Sequence, residues 1–132
     1  MSNRGDTEQA ADFVEWFASL DYRLKLFISG NHDFDLNTGK CIITNKLANG
    51  DPYPENMIHL VDQQIDIGGV KIWGAATEPK KELASKQTVD QWASIPNDTD
   101  ILITHYPPRD ILDRNLEKVH CGLRWLRIGS QN

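Results

Sequence analysis

Leu24-Lys25-Leu26-Phe27-Ile28-Ser29-Gly30-Asn31-His32-Asp33 is the stretch that decides the fold. From Leu24 to Ile28 it is apolar everywhere but Lys25, it has the length of a strand, and a glycine soon closes it. That is the pattern of a parallel strand covered on both faces. The second half puts polar chemistry at the strand's carboxyl end, where open α/β sheets hold their ligands. Gly30 is expected to let the backbone turn there without a Cβ penalty.

Ile101-Leu102-Ile103-Thr104-His105-Tyr106-Pro107-Pro108 repeats this grammar: an apolar run enters a histidine and a rigid proline turn. Together the two endings predict an α/β fold with a site at the carboxyl ends of its strands.

The totals narrow the function. A chain of 132 residues, 39% hydrophobic, supports one domain with a modest core. The formal charge of -5 argues against a nucleic-acid partner or an anionic membrane surface, both of which need clustered Lys and Arg. No apolar run reaches the roughly 18 residues of a membrane span, and no signal-peptide core follows Met1, so the expected setting is cytoplasmic. Cys41 and Cys121, far apart and only two in number, read as reduced thiols.

Taken in order, Asp6 or Thr7 caps a helix whose apolar residues Ala10, Phe13, Val14 and Phe17 recur at helical spacing, with Gln9 placed for a capping box and Trp16 extending the same face. Residues 34–56, rich in Asn, Gly, Asp and Pro, read as a long loop with a short strand or turn near Cys41 to Thr44, starting at the site and shaping access to it. Ile58 to Val61, Gln64 to Ile67 and Val70 to Trp73 read as strands, the last two joined in a hairpin at Gly68-Gly69. Lys81 to Ala93 reads as partly helical, with Leu83, Val89 and Trp92 facing the core. Pro96 to Thr99 forms the turn into the Ile101 strand, and Leu116 to Ile128 is an amphipathic segment broken at Gly122.

Asn, His and Asp side chains at strand ends are able to hold divalent cations, and a histidine titrating near neutrality is able to pass a proton. Each polar residue also has a plainer reading. Asn31 suits a turn, His32 suits the surface, Asp33 suits a cap and His105 suits a core hydrogen bond. His59 reads as structural, while His120 reads equally as a residue lining the site and as loop packing. Lys80-Lys81 reads as a solvated turn. Arg109 and Arg114 most commonly would be solvated surface arginines, although their place beside the second motif suits phosphate.

Gly30-Asn31-His32-Asp33 followed by Thr104-His105-Tyr106-Pro107-Pro108 resembles the calcineurin-like metallophosphoesterases. Ile111-Leu112-Asp113-Arg114 and His120-Cys121-Gly122 resemble the branch that contains the metallophosphoesterase-domain proteins of animals and their microbial relatives. The resemblance implies part of a four-layer α/β/β/α sandwich and a site with two divalent ions, among which Mn, Fe, Zn, Ni and Mg are not distinguished. It implies Asn31 and His105 as ligands of one metal, His32 as general acid, and Asp33 as the carboxylate orienting His32. Its substrate would be a small phosphate ester or a nucleotide, cleaved as a monoester or a diester.

The family's first Asp-x-His and late Gly-His-x-His are not visible in this sequence. Gly5-Asp6 is either the family's metal-bridging pair or sits just after it. The second reading is favoured, because no strand precedes Gly5 and Asp6 serves as a helix cap. The chain is thus expected to be an internal piece, residues 1–132 forming one partial domain with an incomplete site. Strands left without neighbours would favour self-association through exposed sheet edges. The competing expectation is a non-catalytic fragment that binds or assembles.

Overall fold

The computed structural model describes residues 6–34, 41–75 and 93–122. Most of the helix expected over Lys81 to Ala93, the Lys80-Lys81 pair, Gly5 and the segment after Gly122 lie outside them.

The elements run α1 Thr7–Ser19, β1 Lys25–Phe27, β2 Met57–His59, β3 Gln63–Ile67, β4 Val70–Ala75 and β5 Ile101–Thr104. The content is mixed α/β, in a two-stranded sheet β1-β2 and a three-stranded sheet β3-β4-β5. β1 and β5 therefore each have a hydrogen-bonded neighbour, β2 and β4 respectively, where the sequence suggested they would stand alone. Both of these pairings are parallel, while β3 and β4 are antiparallel.

Asp6 caps α1, its Oδ1 accepting from the backbone N–H of Glu8 at 2.9 Å and of Gln9 at 3.4 Å. The helix buries Ala10 and Val14 against Phe27, Ile43 and Met57, with Phe13, Phe17 and Tyr53 closing around them. The Phe13 and Phe17 rings meet Phe27 edge-on at 5.6 and 5.5 Å. Trp16 does not extend this face. It is 57% exposed, because the turn that buries Phe13 and Phe17 carries Trp16 to the edge of the stripe, where its ring is tilted against theirs with centroids 6.0 and 6.1 Å apart.

Lys25, the polar exception in its strand, is buried. Its Nζ donates to the carbonyls of Ala18 at 2.6 Å and Leu20 at 3.0 Å, so the strand's own lysine closes the carboxyl end of the preceding helix.

From Cys41 onward the loop packs against the core. Cys41 bridges Phe34, Ile43 enters the core, and the Tyr53 hydroxyl donates to the Thr44 carbonyl. Burial pushes the Tyr53 phenol up to about 12, with the neighbouring Cys41 acting in the same direction.

Leu60 joins the two sheets. Its N–H donates to the Phe27 carbonyl at 2.9 Å, prolonging the β1–β2 pairing, while its fully buried side chain lies on Gly74 of β4. Asp62, with φ 49°, then turns the chain into β3. The β3–β4 hairpin closes through Gly68 and Gly69, with φ of 62° and 90°, the conformation of a two-residue turn that follows strand twist.

The Ile101 strand is less covered than its apolar sequence suggests, Ile101 itself being 47% exposed. Trp73 and Ala75 of β4 form a second small core with Ile95, Leu102 and Tyr106. The described part of the expected amphipathic segment is an irregular loop in which Leu116 is fully exposed. The Asn115 side chain takes the N–H groups of Glu117 and Val119 and so diverts the backbone from a helix. Among the described residues no helix is long and apolar enough to cross a membrane, and both cysteines are free.

Candidate metal and phosphate site

Gly30-Asn31-His32-Asp33 forms a hydrogen-bonded β-turn directly beyond β1. The Asp33 N–H donates to the Gly30 carbonyl at 3.0 Å, and the Asp33 carboxylate accepts the Gly30 N–H at 2.8 Å. Asp33 therefore grips both backbone groups of Gly30 and fixes Asn31 and His32 at the two corners of the turn. Its side chain is buried, whereas His32 is exposed.

Gly30 does not take the left-handed conformation, so its lack of a Cβ serves another purpose than the expected bend. The His105 ring lies against it, and a Cβ there would stand 2.6 Å from Nδ1. This close approach brings the second motif onto the first across the two sheets. His105 Nε2 reaches Asn31 Oδ1 at 2.8 Å, and the Nε2–H donates to the amide oxygen. Partial burial pushes the His105 imidazole below its ordinary value; Asp33 opposes this and His32 reinforces it.

The carboxyl end of β2 contributes to the same region. His59 stacks on Phe27, its register partner, with centroids 4.6 Å apart and planes within 4°. Its Nε2 lies 3.3 Å from the hydroxyl of buried Ser29. Burial lowers its pKa, and Asp33 partly restores it. Cys41 stands behind the turn, where burial raises the thiol against hydrogen bonds from the Ile43 backbone and Ser29, and Asp33 raises it further. Asp33 is thus the buried charge that His59, His105 and Cys41 all feel. The sequence alone reads His59 as structural.

The Asn31–His105 pair matches one edge of a cation's coordination sphere. Two donors about 2.1 Å from an ion and at right angles to it lie about 3.0 Å apart. Oxygen and imidazole nitrogen together suit borderline divalent ions. Two ligands do not complete such a sphere, and among the described residues no group of three or more His, Cys, Asp and Glu side chains is placed to hold a metal.

Comparison with known proteins supports the resemblance carried by these two motifs. A UPF0046 protein of Caenorhabditis elegans is 32% identical over 86% of this chain and 43% of its own length. The human metallophosphoesterase domain-containing protein 1 is 30% identical over 89% of this chain and 44% of its own. The chain is related to the calcineurin-like metallophosphoesterases. It spans less than half the length of these metallophosphoesterase relatives. A probable rhamnogalacturonate lyase C of Emericella nidulans is 29% identical over 96% of the chain, but the match covers only 13% of that protein, so its name carries no chemistry here. No protein-family profile matches the chain.

Proposed function

We propose that this metallophosphoesterase-related chain contributes to the metal-dependent hydrolysis of a phosphomonoester or phosphodiester. The observation that carries the reading is the contact between Asn31 Oδ1 and His105 Nε2 at the carboxyl ends of β1 and β5. Asn31 and His105 would hold a divalent ion, which neutralises charge on the phosphoryl oxygens when bound. His32, exposed at the corner of the turn, donates a proton from its imidazole to the leaving oxygen. Asp33 keeps that turn in shape through Gly30. Residues 1–132 form one partial domain, with β1-β2 and β3-β4-β5 within the two inner layers of a four-layer α/β/β/α sandwich. The complete site takes two metal ions and a small phosphate ester or nucleotide, in a cytoplasmic protein that associates through its open sheet edges.

Turnover of p-nitrophenyl and bis-p-nitrophenyl phosphate with added Mn²⁺ tests this. Metal-dependent hydrolysis that falls about 100- to 10,000-fold in His32→Ala supports the assignment. Metal-dependent turnover unaffected by His32→Ala removes His32 as the acid. No turnover and no metal uptake leave the chain as a binding or assembly piece.

A further inference from the structure

The loop following His105 carries a second arrangement of polar groups, independent of the Asn31–His105 pair. Arg114 and His120 face each other across an antiparallel bridge. Asn115 N–H donates to the Val119 carbonyl at 3.0 Å and Cys121 N–H to the Asp113 carbonyl at 2.8 Å, which makes 114 and 120 a non-hydrogen-bonded pair. In such a pair the two side chains leave the ribbon on one face, with Cβ atoms about 4.5–5.5 Å apart. Asn115 locks the tip between them, so Arg114 and His120 stand at the ends of a preorganised loop.

The His120 ring is oriented from beneath. Asp113 Oδ1 accepts from His120 Nδ1 at 2.6 Å, and Asp113 Oδ2 accepts the Gly122 N–H at 3.0 Å. The Asp113 side chain is only 1% exposed and that of His120 27%. Asp110 also lies on the Nδ1 side, at 3.4 Å and largely in solvent. With Nδ1 committed to carboxylates, Nε2 points away from them. Among the described residues neither Nε2 nor the Arg114 guanidinium has a partner. A carboxylate-held imidazole beside a free guanidinium offers two polar side chains to one oxyanion, and the guanidinium fork matches phosphate geometry.

We propose that Arg114 and His120 form a phosphate-binding site, separate from the Asn31–His105 pair, with Asp113 as its positioning residue. The ligand is a phosphate oxyanion, free or esterified. Arg114 donates through its fork and His120 through a protonated Nε2, while Asp113 balances the imidazolium charge. The site depends only on its own loop and holds whether or not the chain binds metal.

The test is a titration of the metal-free chain with inorganic phosphate and, separately, phenyl phosphate, following the histidine ring resonances by NMR. Saturable movement of the His120 signals, with a rise in its pKa in the presence of ligand, is expected. Arg114→Gln, a change at an exposed residue, should weaken binding about tenfold or more, the worth of one charge-assisted hydrogen bond, and Arg114→Lys less. Asp113→Asn should reduce the rise in the His120 pKa. Binding of phenyl phosphate assigns an ester ligand, and binding of inorganic phosphate alone assigns the free ion. Movement confined to His32 or His105, or affinity unchanged in Arg114→Gln, overturns the proposal.

Discussion

The His105 ring rests on the Cα of Gly30 so closely that a Cβ at residue 30 would lie within 3.0 Å of three ring atoms, the nearest being Nδ1 at 2.6 Å. Gly30→Ala must therefore displace the imidazole or the turn. The expected loss is about 1–3 kcal/mol in urea denaturation, the range for forcing a methyl into a packed place. His105 also moves off Asn31, so its ring resonances shift and any Mn²⁺ uptake weakens. An alanine variant with unchanged stability and an unchanged His105 signal would show that the contact does not shape the site.

Gly74 makes the corresponding approach to Leu60, where an added Cβ would stand 2.2 Å from the Leu60 Cβ. Here the obstacle is not the end of a flexible side chain, so Gly74→Ala should cost about 1–3 kcal/mol or more. Leu60→Ala should cost about 2–5 kcal/mol, since Leu60 is fully buried between the sheets. The two changes made together should not rescue one another, because alanine at 60 retains the atom that clashes. Rescue in the double variant, read from denaturation midpoints, would mean that only the outer Leu60 atoms oppose the new methyl.

Lys25→Met keeps the aliphatic stem but removes the ammonium from the Ala18 and Leu20 carbonyls. The expected cost is about 1–3 kcal/mol, for acceptors at the helix end left without their donor. Hydrogen exchange should quicken in the last turn of α1 before the rest of the chain. Equal stability of the methionine variant would show that water replaces the lysine at those carbonyls.

These sites differ in how far the sequence disclosed them. The Gly68-Gly69 hairpin was legible because two adjacent glycines between alternating runs specify one kind of turn, using only local backbone chemistry. The strands were located to within a few residues for the same reason, and Asn31 and His105 were placed at strand ends by the apolar runs before them. The fit of Leu60 on Gly74, or of His105 on Gly30, depends on residues 14 and 75 positions apart in the chain, and no local pattern records it. Lys25 looked like a break in an apolar strand because its partners belong to the preceding helix. Trp16 followed the helical period in sequence but sits where the apolar stripe ends, and is 57% exposed.

Acid stability should report the half-buried histidine of β2. Burial holds His59 below its ordinary value of 6.5, so in the window beneath that value the unfolded chain binds a proton that the folded chain refuses. Stability then rises with pH through the window. It is lost as pH falls from about 6.5, and the loss levels off below the folded-state pKa. His105 acts in the same direction. Asp113 titrates in a different window: burial raises its pKa, but the hydrogen bonds from His120 and the backbone of Asp110 and Gly122 outweigh this and hold the carboxyl below 3.8. Its contribution is complete above 3.8 and disappears as pH falls through its folded value. His59→Phe retains a ring to stack on Phe27 and removes the titration, so the stability-versus-pH slope below about pH 6.5 should flatten, with the remainder due to His105. The carboxylate-dependent loss at lower pH should persist. Denaturation midpoints measured across this range decide it, and an unchanged slope in His59→Phe would mean that His59 takes up its proton as readily in the folded chain as in the unfolded one.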